Sequence, residues 1–422
     1  MEYIRYELGA YNLNVIKTNN FKTVRVEVKF RNVVKKEEIT LRNLLKMVLI
    51  ESTKKFDTER KFVIESEELY DLKLSSTSSR VGNFTTLSFN LTFLNEEYTE
   101  KGLHNKSLDF LMEVLFNPNV SNNKFDSLSF NNCVNKLEKS IMGRKDNKTK
   151  YSIFALLQHM GDYAYSYDQY GYLSDLKNID EAKLYEYYKK VLMNDLVDVY
   201  VIGNVDSNEI KEYFINNFKI NSFKKEKTNA LIDEVLPRKR VKVFKEEDVV
   251  NQTKIAIGLR FNDVSEYERK YVLYVYNEIL GGSGNSLLFD TVREKNSLAY
   301  YINSIAQEYD NLLIIYTGID KDRVDLGLKL IKKTIKDIEK GKFTSDMFNN
   351  AINMITSSLK LSLETQPSVI NNYYAMNILN SDDINTRISK FEKVTKEDVI
   401  NFSKKIKMDT VFLLEGDHNE ED

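Results

Sequence analysis

Alternating apolar and polar residues predict strands in the first half of the chain. Positions 24, 26, 28 and 30 are apolar and positions 25, 27 and 29 are charged, which is the two-residue period of a half-buried strand. Residues 87–93 repeat this period. Helical spacing of apolar residues follows at 41–49, at 108–115 and from Asp126 or Ser127 to position 141. The first half is therefore expected to mix helices and strands.

The second half of the chain repeats the first. Residues 255–261 restate the opening strand, residues 343–353 align without a gap on 125–135, and residues 394–406 align on 179–191. Each half then ends in an apolar strand followed by a glycine, Gly203 or Gly416. Four matches in the same order predict an α+β fold, built as a tandem of two homologous α/β-sandwich domains.

The chain of 422 residues is too long for one core, and its composition changes between about 221 and 246. That stretch is charged, lacks a sustained period and contains Pro237. We expect a first domain at 1–222, a linker at 223–246 and a second domain at 247–422. A short basic patch for nucleic acid is the rival interpretation, and neighbouring acidic residues such as Glu226 and Glu234 argue against it.

Overall charge gives no reason to expect a nucleic-acid or membrane partner, since the net charge is −2. The first residues lack the pattern of a signal peptide, and no apolar run approaches the length of a membrane span. The single cysteine, Cys133, excludes an internal disulfide and lies among apolar helix positions, where a core role is expected. A cytoplasmic location is the expectation.

Residues 281–302 concentrate the candidate chemistry. Three glycines, Gly281, Gly282 and Gly284, are followed by Arg293 and, seven residues later, Tyr300. Flexible backbone, a fixed cation and a phenol in one segment suggest a substrate-handling loop. A phosphate cradle is an alternative, but no Lys-Ser or Lys-Thr follows the glycines. The other alternative is a helix-capping turn followed by a surface arginine and a core tyrosine.

The pattern Gly-Gly-x-x-x-Ser-x-Leu-Phe-x-x-Val-Arg-Glu-x-x-x-Leu-Ala-Tyr over residues 281–300 resembles the C-terminal-domain signature of the pitrilysin/insulinase metallopeptidases, the inverzincins. The resemblance implies that the tandem is one half of the family's clamshell. It also implies that Arg293 and Tyr300 bind substrate and assist catalysis at a zinc site in another domain. The glycines at 281, 282 and 284 would let the backbone approach the peptide closely.

The family's zinc motif, His-x-x-Glu-His, is missing from this chain. The resemblance places it at 43–47, where the motif positions hold Asn43, Lys46 and Met47. Lys46 puts a cation in place of the carboxylate that activates water. The further glutamate ligand falls near Lys139, with Glu138 beside it.

Histidines elsewhere do not replace the motif. The three histidines, His104, His159 and His418, are far apart in sequence. We therefore expect no metal and no cofactor in this chain.

Some members of this family are heterodimers in which one chain carries zinc and the other carries the arginine/tyrosine segment. The sequence resembles the second kind. It implies the non-metal subunit of a heterodimeric zinc endopeptidase, with zinc in a homologous partner subunit and a peptide as substrate. The alternative is a catalytically inactive scaffold or peptide-binding protein of the same fold. A different enzyme using Lys46 or Glu138 has no supporting constellation.

Overall fold

The computed structural model describes residues 1–221 and 231–416. Within these ranges the chain forms two compact units. The first comprises Met1–Met142 and Asp168–Leu231, and the second comprises Gly143–Tyr167 and Ile232–Asp422. Each unit has its own buried apolar core.

The first unit contains a six-stranded sheet in the order β1-β2-β8-β3-β5-β4, and the second contains a five-stranded sheet in the order β11-β12-β10-β13-β9. A two-stranded hairpin, β6-β7, belongs to the first unit. The strands are β1 (Glu2–Glu7), β2 (Asn12–Lys17), β3 (Thr23–Val33), β4 (Lys73–Val81), β5 (Phe84–Leu94), β6 (Val120–Ser121), β7 (Lys124–Phe125), β8 (Leu196–Gly203), β9 (Lys242–Asp248), β10 (Thr253–Phe261), β11 (Ile302–Gln307), β12 (Leu312–Ile319) and β13 (Ile406–Gly416).

Helices pack on these sheets and bury one apolar face each. They are α1 (Ile39–Leu49), α2 (Glu59–Glu68), α3 (Leu103–Phe116), α4 (Ser127–Met142), α5 (Lys148–His159), α6 (Leu173–Leu176), α7 (Glu181–Asn194), α8 (Ser207–Asn217), α9 (Leu273–Asn277), α10 (Val324–Glu339), α11 (Ser345–Leu361), α12 (Gln366–Ile378), α13 (Ile384–Glu392) and α14 (Lys396–Ser403). The short α9 is continued at both ends by π-helical segments, Glu268–Val272 and Glu278–Gly282.

The two sheets share one topology, which confirms the predicted tandem. In each unit the last strand lies parallel to an early strand and antiparallel to a central one, so the path β2-β8-β3-β5-β4 corresponds to β9-β13-β10-β12-β11. The aligned helices α4 and α11 both begin two residues after the matched phenylalanine, Phe125 or Phe343. The predicted α+β fold class is therefore correct.

The unit boundaries differ from the predicted domains at residues 143–167, which were expected in the first domain. Helix α5 packs on the second sheet, where Ala155 and Leu156 join a cluster with Ala256, Leu312 and Phe412. The helical period of α5 reveals that it has an apolar face, but it does not reveal which sheet that face covers.

The predicted linker also differs from the structure. Its residues 223–230 lie outside the described part of the chain, while residues 242–246 begin the edge strand β9. This strand is polar because its side chains form surface ion pairs, such as Glu246 with Lys145 at 2.7 Å. Charge at a sheet edge therefore resembles a linker in sequence.

Candidate functional site

Arg293 and Tyr300 lie side by side on the surface of the second unit. The guanidinium carbon of Arg293 is 5.3 Å from the centroid of the Tyr300 ring and 4.5 Å from that of the Phe289 ring, so the cation lies against both aromatic rings. Its Nε is 3.6 Å from Glu294 Oε1. The Arg293 side chain is 37% exposed and Tyr300 is 80% exposed. A held cation and an exposed phenol are thus available to a ligand.

Packing of the preceding loop turns Tyr300 outward. Leu298 and Ala299 are buried in the core of the second unit, while the Arg323 guanidinium donates to the carbonyls of Asn296 and Ser297 at 3.2 Å each. Ser297 adopts a left-handed conformation with φ of 47°, which is uncommon for a residue other than glycine. The loop is therefore fixed at several points immediately before Tyr300.

π-helical turns surround the site. Phe289–Glu294 forms one such turn, in addition to the two that flank α9, and Phe289 and Arg293 lie four residues apart on it. π-Helical turns are rare and occur often at functional sites, because the added residue re-aims side chains. Here the turn brings the Phe289 ring beneath the Arg293 guanidinium.

Internal packing explains two of the three glycines. A Cβ on Gly281 would lie 2.9 Å from Ser304 Oγ and 3.0 Å from the Ser304 backbone nitrogen, so the helix passes too close to β11 for a side chain. A Cβ on Gly282 would meet the Glu278 carboxylate at 2.7 Å. Gly284 is exposed with nothing within 4 Å of its Cβ position. Close approach of a peptide to the backbone stays a prediction, and Gly284 has the open space for it.

Glu278 is a buried carboxylate next to this turn. Its Oε2 atom is buried with no hydrogen-bond partner among the described residues. Burial raises the pKa of Glu278, because the ionised form loses hydration without gaining a partner. The sequence pattern gave no reason to single out this residue.

The next tyrosine, Tyr301, is held inside the unit. Its hydroxyl forms a hydrogen bond with Thr149 Oγ1 at 2.8 Å, and its carbonyl accepts a bond from Thr317 Oγ1 at 2.6 Å. Burial raises the pKa of Tyr301. Two adjacent tyrosines therefore have different roles, since only Tyr300 presents its ring and hydroxyl to solvent.

The positions of the missing zinc motif lie in α1 of the first unit. Asn43 is buried, and its amide donates to the carbonyls of Ile39 and Gln169 at 3.0 and 2.8 Å. Met47 packs against the apolar core. These contacts employ an amide donor and a thioether where imidazoles would be required. The residues present therefore do not fit a zinc ion.

Lys46 is half-buried on the same helix, and its carbonyl accepts a hydrogen bond from Ser76 at 2.8 Å. Burial lowers the pKa of the Lys46 ammonium. A cation here opposes metal binding, because it would repel a divalent ion.

The other candidate ligands have local structural roles or are exposed. Glu138 is partly buried on α4 and Lys139 is exposed. Cys133 is fully buried, and burial raises the pKa of its thiol to about 12, as expected of a core residue and not of a nucleophile. His104 accepts a hydrogen bond from the Glu96 amide, and His159 stacks on Phe244 with ring centroids 4.0 Å apart.

The third histidine, His418, lies outside the described residues. Throughout residues 1–221 and 231–416, no three His, Cys, Asp or Glu side chains are placed to hold a metal ion together. No helix in those same ranges is long and apolar enough to cross a membrane.

Comparison with known proteins agrees with the fold and with the altered metal motif. Residues 178–355 match the family model for the peptidase M16 inactive domain. The chain is 29% identical over 416 residues to a protein of Bacillus subtilis described as the probable inactive metalloprotease YmfF, covering 97% of this chain and 96% of that one. The chain is therefore a homologue of the M16 metallopeptidases, the pitrilysin/insulinase group, and of their inactive members.

Two further matches define the range of its relatives. Another B. subtilis protein, the uncharacterized zinc protease YmxG, is 28% identical over 212 residues, which are 49% of this chain and 50% of that protein. Among solved structures, a conserved protein from Enterococcus faecalis superposes with a TM-score of 0.92 at 24% identity, covering 100% of both chains. The second likeness shows the fold.

Of the predicted site residues, the structure brings Arg293 and Tyr300 together with the glycine turn inside the second unit, while Asn43, Lys46 and Met47 belong to the first. Sequence reasoning missed Phe289 and Arg323. The four-residue spacing from Phe289 to Arg293 on a helical segment was a signal for the former. Arg323 has no such signal, because it is distant in sequence from the loop that it holds.

Proposed function

We propose that this chain is the non-metal subunit of a heterodimeric zinc endopeptidase, supplying Arg293 and Tyr300 to a site whose metal is held by a homologous partner. The observation that carries the proposal is the pairing of the Arg293 guanidinium with the exposed Tyr300 ring at 5.3 Å. The altered positions Asn43, Lys46 and Met47 add to it, because they leave this chain without the family's ligands.

The partner's zinc would activate water, and the residues of this chain would bind and polarise the peptide. The Tyr300 hydroxyl can donate a hydrogen bond to the carbonyl oxygen of the scissile amide, which gains negative charge as the amide is attacked. No described residue hydrogen-bonds to this hydroxyl, so it is free to do so. The Arg293 guanidinium has several N–H donors in a fixed fork and can hold a neighbouring carbonyl or carboxylate.

Support for a zinc-bearing partner comes from the relatives of this chain. One homologue is described as a zinc protease and another as an inactive metalloprotease, so both kinds occur among related sequences of one bacterium. A heterodimer would join the two kinds, with an interface of at least about 1,000 Å².

A scaffold or peptide-binding protein without catalysis is the second candidate. It is favoured by the word "inactive" in the matched family model and in the full-length relative. In this case Arg293 and Tyr300 bind a peptide that is never cleaved in the complex.

Co-expression with a homologue of similar length that carries His-x-x-Glu-His tests the proposal. We expect the two chains to copurify in a 1:1 complex and to cleave unstructured peptides that neither chain cleaves alone. The matched control changes the partner's motif glutamate to glutamine, which should abolish cleavage and preserve the complex.

Separate elution of the two chains at micromolar concentration would contradict the heterodimer. A stable complex that cleaves no faster than the partner alone would favour the scaffold candidate.

A further inference from the structure

A polar notch lies on the second sheet where Gly318 has no side chain. Gly318 of β12 is opposite Lys254 of β10, and the register that pairs Ile302 with Thr317 brings Tyr301 to the other side of Gly318. A Cβ on Gly318 would lie 3.1 Å from Lys254 Nζ, 3.1 Å from Gln252 Oε1 and 3.4 Å from the Tyr301 hydroxyl. We call this space the Gly318 notch.

The Gly318 notch contains a cation without a counter-ion. Lys254 is half-buried, and no carboxylate or other hydrogen-bond acceptor of the described residues contacts its ammonium. Its one polar-group neighbour of note is the Tyr301 ring, whose centroid is 5.8 Å from Nζ. Burial lowers the pKa of Lys254, since the ammonium loses hydration and gains no opposite charge. An anionic ligand would supply that charge.

The other two polar groups of the Gly318 notch are held in place. The Tyr301 hydroxyl is fixed by Thr149 at 2.8 Å. Gln252 donates through Nε2 to Asp320 Oδ1 at 3.0 Å, which leaves its Oε1 as an acceptor beside Gly318. The notch therefore offers an ammonium, a hydroxyl and one carbonyl oxygen, with little reorganisation needed on binding.

We propose that the Gly318 notch binds the free carboxyl terminus of a peptide. The carboxylate accepts hydrogen bonds from Lys254 and Tyr301, and the amide N–H of the terminal residue donates to Gln252 Oε1. An isolated carboxylate or a phosphate leaves that acceptor unused, so the donor–acceptor set matches a carboxylate that carries an adjacent N–H. Tyr301 directly follows Tyr300 in sequence; the choice of a peptide as the ligand rests on the proposed function, whereas the anion site does not.

Calorimetric titration of the full chain tests this site without any catalytic assay. The probes are N-acetyl-dialanine with a free carboxyl terminus, the same dipeptide as its C-terminal amide, and sodium acetate. We expect the acid to bind and the amide to bind about tenfold more weakly or worse, since a hydrogen bond to a charged group is lost. Acetate should bind more weakly than the acid because it has no N–H for Gln252.

Two variants of the chain should weaken binding of the acid by about tenfold or more. Lys254→Met removes the ammonium, and Gly318→Ala fills the notch with a methyl group. The alanine would meet only the ends of flexible side chains, so the fold should be kept, as circular dichroism and thermal unfolding will verify. Lys332→Met, at an exposed lysine of the same unit, is the matched control and should bind as the wild type does.

Equal affinity for the acid and the amide, no binding at millimolar concentration, or unchanged affinity in folded Gly318→Ala protein would overturn the proposal. Acetate binding as tightly as the dipeptide acid would overturn the assignment to a peptide terminus. Arg293→Ala should leave the titration unchanged. A heterodimer that proves inactive, with the titration intact, would therefore count against the proposed function alone.

Discussion

Tyr300 and Tyr301 are adjacent residues whose side chains lie in opposite environments. Tyr300 is 80% exposed beside Arg293, whereas the Tyr301 hydroxyl bonds to Thr149 inside the unit. The motif spacing identified Tyr300 from sequence. The partner of Tyr301 could not be predicted, because Thr149 belongs to a helix whose place on the second sheet has no signature in the sequence.

Glu278 gives a pH-dependent prediction. Burial raises the pKa of this carboxyl, so its protonated form is the one that the fold accommodates. The wild type should lose stability as the pH rises from the carboxyl's ordinary value through its raised folded pKa. Glu278→Gln removes the charge and should unfold at a higher temperature than the wild type at pH 7, with the difference vanishing near pH 4.

Thermal unfolding by circular dichroism across that pH range is the measurement. Glu294→Gln, at the exposed carboxylate beside Arg293, is the control and should show no such crossover. An equal or lower unfolding temperature for Glu278→Gln at pH 7 would contradict the account.

At the scale of elements, periodicity predicted the strands and helices that bury one face. β3, β5, β10, α4 and α11 all lie where their alternation or helical spacing placed them. β9 was missed, because its charged side chains resemble a linker. The π-helical turns were missed as well, since one added residue in a helix leaves no regular period to detect.

Gly281 tests the close contact between its helix and β11. Gly281→Ala should destabilise the protein by about 1–3 kcal/mol, because the methyl group would collide with the backbone of Ser304. Gly284→Ala, where the space is open, should change the free energy of unfolding by less than about 0.5 kcal/mol. Urea unfolding of both variants decides the matter, and equal effects would show that packing does not explain Gly281.

At the scale of the whole molecule, the tandem was readable from internal repeats, while the exchange of residues 143–167 into the second unit was not. That exchange depends on a buried cluster. Arg260 of β10 is 3.4 Å from Asp409 of β13, and its Nη2 donates to the Met160 carbonyl and the Tyr165 hydroxyl at 2.7 and 2.6 Å. These partners come from three separate parts of the sequence, so no local pattern reveals them.

Arg260→Met should release this segment and reduce the free energy of unfolding by about 3–5 kcal/mol, because Asp409 would stay buried with less compensation. Limited proteolysis should then cut within 143–167 before the rest of the chain. Lys245→Met breaks an exposed ion pair with Glu415 and should cost no more than about 1 kcal/mol. Resistance of the Arg260→Met segment to protease would contradict its role as a clamp.

Metal content is a further property of the whole chain. Asn43, Lys46 and Met47 supply no suitable ligand set, so the purified chain alone should contain no stoichiometric zinc by elemental analysis. One tightly bound zinc per chain that is lost on His104→Ala or His159→Ala would contradict this prediction.

The central claim is that Tyr300 acts on a substrate at the site of a partner subunit. Its most direct test is the turnover number of the assembled heterodimer carrying Tyr300→Phe, which removes only the exposed hydroxyl. Tyr267→Phe is the matched control, since this tyrosine lies about 20 Å away at the other end of the helix that ends at Gly282. We predict that Tyr300→Phe lowers kcat by about 10²–10³ with the complex and its zinc content intact, while Tyr267→Phe has wild-type activity. A Tyr300→Phe complex with wild-type kcat and KM would contradict the claim.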